Sequence, residues 1–232
     1  LIDMTKDCQQ KACDFAWSDV PPPEHQRPDL RPGDAALARA VELIDQAKRP
    51  LILAGNGIIA SGASDLVRRF AEQADIPIAM TLLGIGGVPA SHPLNLGMMG
   101  MHGEAWVNTA IQEADLLIAL GMRFDDRVTG NLKTYALNAK KIHLEIDRSE
   151  INKNVKVDVG LVGDVGQLLQ ALVPRVAPGN HAPWRAHIDA LKGDSAVRDI
   201  QNLPDSGHLY AAHVIHDLWR ETGGNAVVVT DV

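Results

Sequence analysis

The run Leu116-Leu117-Ile118-Ala119-Leu120 limits most strongly what this chain can fold into. It is short, continuous and uncharged, as a strand must be when a parallel sheet buries both its faces. Comparable runs occur at Leu51-Ile52-Leu53-Ala54, over residues 76–81 and 142–147, and at Val159-Gly160-Leu161-Val162. Between them lie segments with helical spacing: Leu37, Ala40, Val41 and Ile44; Leu66, Val67, Phe70 and Ala71; Leu168, Leu169 and Leu172. Alternating strands and helices imply an α/β fold, a doubly wound, Rossmann-like parallel sheet. Ligands in such sheets sit beyond the carboxyl ends of the strands, so the loops after each run are the candidate site.

Residues 97–130 bracket one strand with two such loops. Upstream, Gly97, Gly100 and Gly103 allow close backbone approach to a ligand, just before a helix expected to begin near Gly103 with its N–H groups facing an anion. Downstream come Gly121, Arg123, Asp125, Asp126 and Arg127; arginine here suits a bidentate phosphate contact, with a surface ion-pair cluster as the alternative. After the Leu51 run, Gly55-Asn56-Gly57 and Gly62 read G-x-G-x4-G and not G-x-G-x2-G. The nicotinamide fingerprint is therefore unmet, and a plain strand–helix turn competes with nucleotide binding. Glu145 and Asp147 end a strand, where they suit ribose hydroxyls or cap a short helix over residues 149–153, and Gly163-Asp164 precedes the Leu168 helix as its cap. Residues 82–96 read as an irregular connection. The methionines at 98, 99, 101 and 122 serve as packing or as the face of a flat cofactor, and the glycines around them favour the second.

Bulk properties exclude other classes. A formal charge of −7 with scattered Lys and Arg argues against a nucleic-acid partner. No apolar run reaches the roughly 18 residues of a membrane span, and the expectation is a soluble, cytoplasmic chain. Cys8 and Cys13 suggest neither a disulfide framework nor a metal site. His208, His213 and His216 have metal-like spacing, but no carboxylate accompanies them, so they read as helix-surface residues and no metal is expected. No nucleophile elbow, Walker loop or H-E-x-x-H occurs, and no catalytic residue is assigned. The expected organisation is a strand remnant and proline-rich linker over 1–33, one Rossmann-like domain over 34–176, and a connector leading into a truncated further domain over 177–232. The strand-like stretches at both ends suggest a piece of a longer polypeptide.

The strings GMMGMHG, ADLLIALGMRFDDRVTG and EIDRSEINKN, with Gly163-Asp164, resemble the catalytic subunits of the acetohydroxyacid synthase (acetolactate synthase) family across nearly the whole chain. The resemblance implies the central of three α/β domains, of the type that binds FAD or NAD in thiamine-diphosphate enzymes. FAD would meet Gly55, Asn56 and Gly57; Thr81, Leu82 and Leu83; Gly100, Met101, His102 and Gly103; Gly121, Met122, Arg123, Asp125, Arg127 and Val128; and Glu145, Ile146, Gly163 and Asp164 at the adenosine end. Lys6, Met101, Asp126 and Arg127 match a substrate channel. Thiamine diphosphate and magnesium would be held by flanking pyrimidine- and diphosphate-binding domains outside this chain, leaving this piece inactive alone. Full-length subunits would form a homodimer or homotetramer, with a small regulatory subunit as a possible partner. Their reaction is decarboxylation of pyruvate and condensation of the two-carbon unit with a second 2-oxo acid, in branched-chain amino-acid biosynthesis. Two positions depart from the family: Met122 replaces a smaller residue such as alanine, and Thr5 a proline. A nucleotide-binding module of another kind and a purely structural spacer remain as alternatives.

Overall fold

The computed structural model describes residues 5–14, 16, 33–192 and 207–229. The strand-like residues 1–4, the linker prolines at 21–23, 28 and 32, residues 193–203 and the last three residues lie outside these. Among the described residues, β1 (Pro50–Ala54), β2 (Ile78–Met80), β3 (Asn95–Met98), β4 (Leu116–Leu120), β5 (Lys140–Glu145) and β6 (Val159–Val162) form one sheet. Every pairing in it is parallel, in the order β3-β2-β1-β4-β5-β6. The helices are α1 (Lys6–Gln10), α2 (Asp34–Gln46), α3 (Asn56–Ala60), α4 (Ser64–Ala74), α5 (Ala105–Glu113), α6 (Asp126–Thr129), α7 (Val165–Leu172), α8 (Ala182–Lys192) and α9 (Ala211–Thr222).

Alternation along the strands divides the core into two layers. Ile52, Ala54, Ile118 and Leu120 pack with α2, α4 and α7 on one face. Leu51, Leu53, Leu117 and Ala119 pack with α5 and α8 on the other. All five residues of β1 and of β4 are buried, which accounts for the unbroken apolar runs of the two central strands. Among the described residues no helix is long and apolar enough to cross a membrane.

Several expectations need correction. β3 falls inside what reads as a glycine loop, because Asn95 and Gly97 are poor strand formers. It is an edge strand sealed by side chains: the Trp106 indole donates to Leu96 O (3.1 Å), and the Asn95 amide donates to Val88 O and Pro89 O (3.1 Å each). A short helix, α3, intervenes between the Gly55 turn and α4. Lys6 and Asp7 lie in α1, within what was expected to be strand remnant and linker. The strand expected over residues 226–229 is absent: these residues are irregular, Val227, Val228 and Val229 are strongly exposed, and no described strand pairs with them.

The core also reaches past residue 176, where a connector was expected to begin. Trp184 (3% exposed) and Ile188 (0%) belong to the α5 layer, and the Trp184 indole donates to Pro50 O at the start of β1 (3.0 Å). Trp184→Ala is expected to lower unfolding free energy by about 3–5 kcal/mol in a urea titration. A loss under about 1 kcal/mol would show α8 to be dispensable to the domain.

Candidate functional site

The loops after β1 and β4 meet where the strand order reverses, the position at which open α/β sheets bind ligands. Here they close on each other. The Gly55 N–H donates to Leu120 O (3.0 Å) and the Gly57 N–H to Gly121 O (2.9 Å). A Cβ on Gly57 would lie 2.5 Å from Gly121 Cα, one on Gly55 would lie 2.4 Å from Gly121 O, and Gly121 has φ +56°. These glycines therefore serve backbone-to-backbone packing. The Gly57 N–H, which a dinucleotide phosphate would use, is already taken.

The second glycine loop is tied to the charged one. Met101 N–H donates to Arg127 O (2.8 Å), and the Arg127 guanidinium reaches Met101 Sδ (3.4 Å). Asn108 on α5 clamps Gly100 by both backbone groups, donating to its carbonyl and accepting from its N–H (2.9 Å each). The helix start itself is less open to an anion than the glycines suggested. Gly103 N–H donates to Gly100 O and Glu104 N–H to Met98 O, and the N-cap residue of α5 is itself acidic, Glu104. Asp125 caps α6, accepting from Val128 N–H (3.2 Å), while Val128 packs against the core. Arg123 is exposed, and its contact with Asp125 is a loose 3.9 Å. Met122 turns inward (4% exposed) among Phe124 and Tyr135, so its bulk repacks the core and does not fill the crevice. The methionines thus divide: Met99 and Met122 are packing, and Met101 is exposed.

At the other strand ends, the Thr81 hydroxyl accepts from Gly84 N–H (3.1 Å), holding Leu82 and Leu83 outward. Glu145 is buried and accepts from Ile146 and Asp147 N–H through one oxygen. Burial raises its carboxyl above the ordinary value, against the pull of those two N–H groups. Asp147 caps the turn at Ser149, the second of its two readings, and Asp164 accepts from Gln167 N–H as the cap of α7, as expected. Gly163 N–H donates to Glu145 O (3.0 Å), joining the ends of β5 and β6. His102 and Asn56 are exposed. Lys6 lies on α1, all of whose residues are exposed, and the contacts that join Met101 to Arg127 do not include it.

The carboxyl edge therefore presents a rim of exposed apolar side chains, Leu82, Leu83, Ile85, Met101 and Ile146, beside an exposed guanidinium and a buried carboxylate. A cavity of about 290 Å3 opens next to Met101, Asp126 and Arg127. His213 and His216, in α9, pack edge-on to Tyr210 and stacked on Trp219 respectively.

Asn108 and His143 escaped the sequence reading. His143 is fully buried and donates from Nε2 to Met122 O (2.8 Å). The signal for each was a polar residue at a core-facing position, in the α5 pattern and in the β5 run. Burial holds His143 below its ordinary 6.5.

Fold and site together define a Rossmann-type α/β domain whose candidate ligand groups gather at the carboxyl edge. The chain belongs to the family of thiamine pyrophosphate enzyme central domains, whose model matches residues 37–172. It is 42% identical over 241 residues to an acetolactate synthase large subunit of Parasynechococcus marenigrum and 38% identical over 239 residues to an acetolactate synthase of Mycobacterium leprae. Each match covers all of this chain and 38% of the relative. A probable acetolactate synthase large subunit of Methanocaldococcus jannaschii is 44% identical over 176 residues, covering 74% of this chain and 30% of the relative. The chain thus spans under two fifths of the length of these relatives.

Two outcomes follow. Gly57→Ala is expected to destabilise by about 1–3 kcal/mol in denaturant unfolding, because backbone must yield; a neutral change would contradict the contact. His143 is neutral when folded and binds a proton more readily when unfolded. Its contribution is therefore intact above about pH 6.5 and lost as pH falls below that toward its depressed folded value. The drop in unfolding free energy between about pH 7.5 and 5.5 should be smaller in His143→Gln than in the unmutated chain, and equal drops would contradict the assignment.

Proposed function

We propose that this chain is the FAD-binding central domain of an acetolactate synthase large subunit. The observation that carries the reading is the carboxyl edge itself: exposed apolar residues for a flat ring, Arg123 for a diphosphate, and Glu145 for ribose hydroxyls, each at a position the family resemblance implies. Gly55, Asn56, Thr81, His102, Gly121, Val128, Gly163 and Asp164 would complete the site largely through backbone and caps. The closed Gly57 turn speaks against a nicotinamide dinucleotide laid across β1. In this reading the flavin is a structural nucleotide. Carbon–carbon bond formation from pyruvate and a second 2-oxo acid belongs to thiamine diphosphate and magnesium, held by flanking domains of a longer subunit. Met101, Asp126 and Arg127, with Lys6, would border the substrate's path. Residues 1–33 and the chain beyond α8 would link to those neighbours, within a cytoplasmic homodimer or homotetramer that a small regulatory subunit joins.

Calorimetric titration of the 232-residue chain with FAD should give saturable binding, and Arg123→Ala should weaken it by about tenfold, the loss of one charge-assisted contact. A folded chain that binds no FAD, or binds NAD equally well, would contradict a preformed flavin site in this domain.

A further inference from the structure

On the α5-side face of the sheet, β1 and β4 present only apolar residues, whereas β5 presents Lys141, His143 and Glu145, all buried. Apolar residues at these positions would cost nothing in desolvation, so the stripe needs a reason. Its side chains reach backbone groups. Lys141 Nζ donates to Ala136 O and Ala139 O (2.8 Å each), and His143 donates to Met122 O, while Asn154 donates to Phe124 O (2.8 Å). The segment leaving β4 is thus fastened at its start and its end, with Arg123, Asp126 and Arg127 held between. His143 also lies edge-on to Phe124 (5.1 Å) and 4.0 Å from Glu145 Oε2. Its second ring nitrogen is buried with no partner among the described residues. The ring is therefore not satisfied for its own sake, and its one strong bond goes to the carbonyl between Gly121 and Arg123.

We propose that His143 is a positioning residue: its Nε2 bond to the Met122 carbonyl fixes the loop over residues 121–127, and through that loop the geometry of the flavin-nucleotide site at the carboxyl edge. The consequence for cofactor rests on the FAD reading above; the effect on the loop does not. Without the donor, the Met122 carbonyl loses its buried partner, the loop is released on its sheet side, and Arg123, one residue on, loses the fixed backbone that places it beyond the Gly57–Gly121 contact.

The test compares His143→Gln, which keeps a donor, with His143→Met, which has similar length and none. Leu169→Ala, buried on the opposite face, serves as the stability control. Hydrogen exchange read by mass spectrometry on the 232-residue chain should show exchange over residues 121–130 accelerated about tenfold or more in His143→Met relative to His143→Gln and to Leu169→Ala. FAD affinity should fall about tenfold in His143→Met and be largely recovered in His143→Gln. Equal exchange of this segment in the Met and Gln variants would overturn the proposal. If the segment responds as expected while the unmutated chain binds no FAD, the positioning role stands and the cofactor reading fails.

Discussion

The backbone contact between Gly57 and Gly121 is the constraint on which the rest of the site depends. Parallel β1 and β4 run side by side at the reversal of strand order, so the loops leaving them must either part around a ligand or pack together. Here they pack, at distances that no side chain tolerates. That choice removes the phosphate cradle used by nicotinamide-binding relatives of the fold. The charged segment after β4 lies outward, with Arg123 exposed and Arg127 exposed against Met101.

The two ends of the sheet differ in kind. At the amino end, Trp184 covers the start of β1, and both ring nitrogens of His181 contact the carbonyls of Ala74 and Ala47. These are structural closures made by α8 and the turn before it. At the carboxyl end, apolar side chains remain in solvent and the polar groups that hold the loops are buried behind them. Exposed apolar surface next to an underused guanidinium is the pattern of a surface built to be covered. The acetolactate synthase subunits that this chain resembles are longer than it.

The central strands were legible because burial on both faces leaves an uninterrupted apolar run, and Asp125, Asp147 and Asp164 were legible as caps or candidate ligands from their place after strands. What escaped has a common cause. β3 owes its existence to the Trp106 indole on Leu96 O, a contact made from outside the strand, and to the Asn95 amide reaching back to Val88 O and Pro89 O. The extension of the core to Trp184 depends on a tertiary neighbour distant in sequence. Asn108 and His143 act on backbone carbonyls and N–H groups, which are the same at every residue and leave no mark in the pattern of side chains. The glycines at 55 and 57 were recognised as special, but their partner, Gly121, was visible only once the strand order placed it opposite.

The most direct test is a two-dimensional 15N–1H NMR titration of the chain with FAD, read residue by residue. The account predicts saturable shift changes concentrated at the six strand ends on the carboxyl edge, with amides of residues 82–86, 100–103, 121–128 and 145–147 moving most. The amides of residues 177–181 at the opposite end should stay still. Shifts centred on that opposite end, or a spectrum unchanged by FAD, would contradict the claim that the carboxyl edge is a flavin-nucleotide site.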